Sequence, residues 1–398
     1  MRLPSFGIPR HLVPAFWAML FIEGSLGAYL GVWPLWMERL GADVTIIGLL
    51  LGVGGFLRIL VVAPSATLSD RIGPRRLLLI ARAVALVAYL GAFVATDWKQ
   101  LLPVILLMSM AEITFPVIQS YVAHHSREED RVRSFTIVFN VGPSFALALS
   151  PLLTGAVVAL FDVRAAFALT ALFCVGSIAA VAQFDRDEKP EPTTAAPVSS
   201  YRQALSQRKV QILLALQGAM IFFLAIGIAL IPTFLEDVRG ISPAIISVLS
   251  AFPAVGSAVF GLVASRNRTV QDNPIIGIVF GTGITILGLM IFRQFDQPPI
   301  LALAFFFRGG FFSNWIMFIS AIGSASNPIH RSRSFASSEI VGGVCYAMGP
   351  MVAGVLYAVR PELPFEVSIV LGLLLIPVML IASRRLQAMP AVHEAAPA

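Results

Sequence analysis

The feature that most constrains this chain is a succession of apolar runs, each roughly 20 to 25 residues long. In a hydrocarbon layer such runs cross as helices, because a helix satisfies its own backbone N–H and C=O groups. Segments of about ten residues with alternating polarity, the mark of a membrane barrel, are absent. Hydrophobic residues make up 57% of the 398 and charged residues 13%, too little charge to cover a soluble protein of this size. The first run is too long for a signal peptide and lacks a small-residue cleavage site. The sequence predicts twelve spans near 12–37, 44–68, 75–95, 99–122, 134–159, 163–184, 209–236, 243–265, 273–293, 298–321, 333–358 and 362–383.

The spans are two copies of one unit. Arg131-Val132-Arg133-Ser134-Phe135 returns as Arg331-Ser332-Arg333-Ser334-Phe335, Val141-Gly142 as Val341-Gly342, and Pro151-Leu152-Leu153-Thr154-Gly155 as Pro350-Met351-Val352-Ala353-Gly354. The fold class expected is an all-α membrane protein of twelve transmembrane helices in two pseudo-symmetric six-helix bundles. The bundles are read as 1–184 and 209–386. Between them lies a Pro-, Thr-, Ala- and Ser-rich linker, 185–208, and a disordered tail follows at 387–398. Of the 28 Lys and Arg residues, Arg58, Arg82 and Arg308 fall inside spans. Six loops on one side carry one each: Arg39, Lys99, Arg164, Arg239, Arg293 and Arg360. The other 19 lie on the opposite side, which the positive-inside rule makes cytoplasmic, with both termini.

Several chemistries have no basis in the sequence. The net charge of +6 is spent on topology, so no nucleic-acid partner is expected. Cys174 and Cys345 lie within apolar runs and imply no disulfide framework. No histidine has metal-site spacing, and the pair His124 and His125 ends a helix at the water boundary. There is no phosphate-cradling G-x-x-x-x-G-K-[ST] loop, zinc-protease motif or catalytic dyad. No cofactor, metal or enzyme activity is expected.

After the second span the chain reads Ala66-Thr67-Leu68-Ser69-Asp70-Arg71-Ile72-Gly73-Pro74-Arg75-Arg76. This resembles the loop signature of the major facilitator superfamily, roughly G-x-L-[AS]-D-R-x-G-R-[RK]. Ala66 replaces the first glycine, and Pro74 displaces the basic pair by one. The second-half loop, Gly261-Leu262-Val263-Ala264-Ser265-Arg266, is similar but has Ser265 in the acid's place. The resemblance implies two bundles around a central cavity lined by spans 1, 4, 7 and 10, and a monomer. It makes Asp70, Arg71, Gly73, Arg75 and Arg76 a conformational latch. The span-5 segment loosely resembles the antiporter glycine–proline motif. Ile47-Gly48-Leu49-Leu50 and Arg131-Val132-Arg133 look like the phenylpropionate and lactose permeases.

Charges inside a bilayer each cost roughly 2.5 to 3.5 kcal/mol at a helix centre and mark functional candidates. Six ionisable residues qualify: Glu23, Arg58, Arg82, Glu112, Arg308 and Glu339. Arg82 and Glu339 lie near cytoplasmic helix ends, within snorkelling reach. Arg58 and Glu112 are placed to form an ion pair between spans 2 and 4, which commits Glu112 to charge compensation. Glu23 has no evident basic partner in its own half, so Glu23, with Glu112 second, is the proton-coupling candidate. Arg308 sits among Phe305, Phe312 and Trp315, beside Gly309-Gly310. A guanidinium there suits a carboxylate while the rings hold an apolar body; the plainer reading pairs it with Glu339. Gln217, Asn314, Asn140 and Tyr29 complete the substrate-cavity candidates, with Trp33, Trp36, Phe222, Phe223 and Gln119 beyond them.

The function these features imply is secondary transport of a small organic solute by alternating access, coupled to protons, in a bacterial-type inner membrane. Two alternatives stand: a proton-linked efflux antiporter of amphipathic compounds, and a non-transporting membrane receptor.

Overall fold

The computed structural model describes residues 8–62, 65–126, 130–185, 205–327 and 330–389. Among them all regular structure is helical. The predicted linker and tail lie almost wholly outside the described residues. The helices follow the predicted spans. The first six are α1 (Val13–Leu30, resuming at Trp33–Arg39), α2 (Val44–Val62), α3 (Pro74–Val94), α4 (Leu101–Ala111, resuming at Thr114–His125), α5 (ending in Gly142–Leu160) and α6 (Ala165–Val181). The second six are α7 (Arg208–Ile228, resuming at Ile231–Asp237), α8 (Pro243–Leu249, resuming at Phe252–Arg266), α9 (Pro274–Gln294), α10 (Pro298–Ala325), α11 (Arg331–Val359) and α12 (Leu363–Ala388). Eleven helical stretches among the described residues are long and apolar enough to cross a membrane, by length and composition. The twelfth, α6, has 17 helical residues.

Four spans expected to be continuous are interrupted, and proline explains each interruption. Proline has no N–H to give the carbonyl four residues earlier, and its ring crowds that carbonyl. α1 stops at Leu30 before Pro34, α7 at Ile228 before Pro232, and α8 at Leu249 before Pro253. α4 stops at Ala111 before Pro116, and the Thr114 hydroxyl donates to the Ala111 carbonyl at 2.6 Å. In α5 the helix widens into a π turn, Ile137–Val141, just before Pro143.

The chain forms two units. In the first, α1 packs on α5 and α6, and α3 packs on α4 and α6. In the second, α7 packs on α11 and α12, and α9 packs on α10 and α12. The second pattern is the first advanced by six helices, as the sequence repeat requires. The division is not a simple cut at the linker. Val44–Gly52 of α2 groups with the second unit, and Gly240–Ala251, which contains the first part of α8, groups with the first. Glycines permit these placements. A Cβ at Gly48 would collide with the Pro350 carbonyl and stand 3.0 Å from Gly354 Cα on α11. One at Gly155 on α5 would stand 2.9 Å from the Ala244 carbonyl on α8.

Within the second unit α10 is seated between α8 and α9 by backbone contact. A Cβ on Gly309 would lie 2.6 Å from the Gly256 carbonyl carbon, and one on Gly310 would lie 2.6 Å from the Gly281 oxygen. Such small-residue seams replace the hydrophobic driving force that lipid cannot supply. Gly309→Ala is therefore expected to lower the thermal midpoint in detergent by several degrees, an overpacking cost of about 1–3 kcal/mol. Gly283→Ala, which meets nothing within 4 Å, should leave it unchanged.

Candidate functional site

Each unit holds its own set of membrane-embedded charges. In the first unit the interruption of α4 places Glu112 at the end of its first segment. Glu112 Oε2 lies 3.3 Å from Arg58 Nε of α2, and the two side chains are 34% and 62% exposed. The expected pair is formed, but both members keep an open face. A pair of this kind escapes much of the desolvation cost of full burial and contributes correspondingly little.

Glu23 lies on α1 where that helix meets α6: a Cβ on the adjacent Gly24 would stand 3.0 Å from the Phe173 ring. Among the described residues Glu23 makes no hydrogen bond or ion pair. Glu112, Arg58 and Arg82 lie within electrostatic range of it, but none of them pairs with it. Arg82 is not where expected. It does not snorkel: only 3% of it is exposed, because α6 covers it. Cys174 Sγ of α6 donates to the Arg82 backbone carbonyl at 3.4 Å, Tyr89 lies within electrostatic range of it, and Arg82 Nε has no partner. Two carboxyls and two guanidiniums thus belong to one six-helix unit, with Arg82 buried and the Arg58–Glu112 pair partly open.

The aromatic residues assigned to α1 are core members. Tyr29 stacks on Phe167 at 6.3 Å and meets Tyr89 at 5.8 Å and Trp33 at 5.9 Å. Trp36 is buried and donates through Nε1 to the Ala92 carbonyl at 3.0 Å. Asn140, in contrast, is exposed on the π turn of α5, a distortion that recurs at functional positions.

In the second unit the glycine seam fixes the face of α10 that precedes it, and Arg308 stands there. Its guanidinium carbon is 6.0 Å from the Phe305 ring centre and 5.8 Å from that of Phe312. Tyr346 of α11, which sequence reasoning did not name, lies within electrostatic range and adjoins Phe311 and Trp315, each at 6.1 Å. Arg308 Nε has no partner, and among the described residues no carboxylate pairs with the guanidinium. Glu339 does not balance it; that residue is exposed and unpaired among the described residues. Phe305 is fully buried, edge-on to Phe292 at 4.9 Å, so only one side of it serves the arginine.

Two expected cavity residues are interhelical ties. Gln217 of α7 is fully buried and accepts from Ser338 of α11 at 2.9 Å. Asn314 of α10 is fully buried and donates to the Ile278 carbonyl and to Thr282 Oγ1 of α9, both at 3.0 Å. An amide in an apolar interior takes the nearest partner on a neighbouring helix, and both have done so.

In the loop after α2, a short helix Ser65–Ile72 ends at Gly73, whose φ of 91° begins α3. Only glycine takes that conformation without strain. Arg75 Nη2 donates to the Ala182 carbonyl past the end of α6 at 2.7 Å, so it ties helices of its own unit. Arg71 and Arg76 are exposed, and the side chain of Asp70 lies outside the described residues.

Residues 15–350 match the Major Facilitator Superfamily. The chain belongs to the Major Facilitator Superfamily. This is a superfamily of secondary transporters, not of enzymes, and its members are multi-pass membrane proteins. Among curated relatives, the Multidrug resistance protein MdtG of Salmonella heidelberg (strain SL476) is 27% identical over 171 residues, 41% of this chain and 41% of that protein. The match therefore spans about two-fifths of that relative's length. A variant of the nucleoside transporter NupG superposes with a TM-score of 0.75 at 13% identity, covering 95% of this chain and 99% of that one. A POT family transporter crystallised with a thioalcohol-conjugated peptide gives 0.76 at 13%, covering 97% and 99%. At such identities the likeness is one of fold. The superfamily fold accounts for the twelve spans and the loop glycine.

A double-mutant cycle tests the Arg58–Glu112 pair. Arg58→Gln and Glu112→Gln should show a coupling of about 0.5–1 kcal/mol in detergent unfolding. Purely additive effects would mean the contact contributes nothing.

Proposed function

We propose that this superfamily member carries a small organic anion with an apolar body across a bacterial-type inner membrane by alternating access, coupled to protons, as a monomer with both termini in the cytoplasm. The observation that carries the reading is Arg308, a guanidinium within a membrane helix, flanked by rings and lacking any carboxylate among the described residues. An uncompensated charge at this depth is expensive, and a solute carboxylate supplies the missing partner while Phe312, Trp315 and Tyr346 accept its apolar part. Glu23 supports the coupling. It is held by no hydrogen bond, and the pair beside it leaves it as the carboxyl able to gain and lose a proton. Protonation changes the net charge of the four-residue cluster in the first unit by one, which biases a two-state bundle. The cytoplasmic assignment of the termini rests on the arginine asymmetry.

A second reading, proton-linked efflux of amphipathic compounds, is favoured by the similarity to a multidrug resistance protein. Proteoliposomes with an imposed pH gradient distinguish the two. Aromatic carboxylates should accumulate on the first reading, and lipophilic cations should be driven out on the second. Arg308→Ala should weaken carboxylate affinity at least tenfold, the order of one buried charged contact, and leave neutral analogues unaffected. Equal affinity in the variant contradicts the anion reading. Glu23→Gln should retain downhill equilibration and lose pH-driven accumulation; retained uphill transport excludes Glu23 as the coupling group.

A further inference from the structure

A second charged assembly stands apart from both sites, at the ends of α7, α9 and α11 and the start of α12, on the face that the arginine asymmetry assigns to the outside. Glu366, in the first turn of α12, binds two arginines. Arg293 Nη2 lies 2.8 Å from one carboxylate oxygen, and Arg360 Nη2 is hydrogen-bonded to the other. Arg239 donates to the Arg293 backbone carbonyl and lies 5.4 Å over the Phe234 ring, which packs on Phe365 at 4.7 Å. Two guanidiniums therefore share one bridging carboxylate, and a third is tied to the backbone of one of them.

The fold does not require this assembly. The aromatic contact beneath it recurs in the first half, where Trp36 meets Phe167 at 5.9 Å. The corresponding turn there reads Ala165-Ala166-Phe167-Ala168 and has no acid. An arginine over the ring recurs there too, Arg164 over Trp36 at 5.4 Å, so the bridging carboxylate is what is particular to the second half.

An open, polar surface pocket of about 490 Å³ lies between Arg293, Gln294, Arg360, Glu362 and Glu366. Glu362 is half-buried and immediately precedes α12, yet its side chain does not cap the helix. Among the described residues it makes no ion pair. Each arginine is a five-donor fork of which the carboxylate contact uses only part. The pocket thus holds unused guanidinium donors and an unused carboxylate together. A bare anion would be repelled by Glu362 and a bare cation by the arginines.

We propose that this pocket binds a zwitterion that carries phosphate and ammonium, with the phosphate on Arg293 and Arg360 and the ammonium on Glu362. This is the chemistry of phosphoethanolamine, free or as the headgroup of a bilayer lipid. The purified full-length protein, stripped of lipid in detergent, is titrated with phosphatidylethanolamine, phosphatidylcholine and phosphatidylglycerol of one acyl composition, and with soluble phosphoethanolamine. The proposal predicts saturable binding of an ethanolamine form about fivefold tighter than the choline or glycerol lipid, the size of one partly exposed charged contact. Binding of the soluble compound as well would make the free zwitterion the ligand; binding of the lipid alone would make it the headgroup. Glu362→Gln should abolish the preference and leave the unliganded melting temperature unchanged. Equal retention of the glycerol lipid by the wild-type protein, or an undiminished preference in Glu362→Gln, overturns the proposal.

Discussion

Charge compensation in a low-dielectric interior governs this molecule. A guanidinium or carboxylate in a membrane helix persists only where a counter-charge, a hydrogen-bonding network, water or a ligand meets it. Arg58 and Glu112 meet each other. Arg82 is covered by α6 and approached by Tyr89. Glu23 and Arg308 remain, one in each unit, without a direct polar partner among the described residues. A carboxyl that no hydrogen bond holds suits a transferable proton, and a guanidinium between rings suits an organic anion. On the proposed function, the division of labour between the units follows from which charges are already satisfied.

The helices are shaped by a related constraint on the backbone. Each proline at 34, 116, 232 and 253 deprives an upstream carbonyl of its donor, and the helix stops within a residue of that carbonyl. In lipid such carbonyls need side chains or neighbouring helices, as Thr114 shows for Ala111. The break in α4 sets Glu112 at a helix end instead of within a regular turn. Glycine does complementary work: Gly309 and Gly310 bring α10 into backbone contact with α8 and α9 and thereby orient Arg308.

Much of this was legible in the sequence. Run length and the internal repeat, Arg131–Phe135 returning as Arg331–Phe335, predicted the spans and their repeated packing, because hydrocarbon leaves the backbone few choices. The Arg58–Glu112 pair followed from comparable depth. The helix breaks were legible too, in the four prolines, but apolar run length alone conceals them. Other features depend on lateral packing, which a periodicity does not encode. Arg82 is buried only because α6 lies over it. Gln217 and Asn314 were expected to face solute, yet each had a serine, threonine or carbonyl nearer to hand on the adjoining helix. Tyr346 belongs to the Arg308 cluster through the contact of α11 with α10 and has no signal of its own in the sequence.

The central claim, that Arg308 faces a water-filled route and receives the solute, is tested most directly by cysteine accessibility. With Cys174 and Cys345 replaced and Arg308 kept, a Phe312→Cys variant, whose thiol stands beside the guanidinium, is exposed in proteoliposomes to a membrane-impermeant thiol reagent. The account predicts labelling that an aromatic carboxylate slows and a neutral analogue does not. A thiol there that reacts only with lipid-soluble reagents, indifferent to every solute, would contradict it.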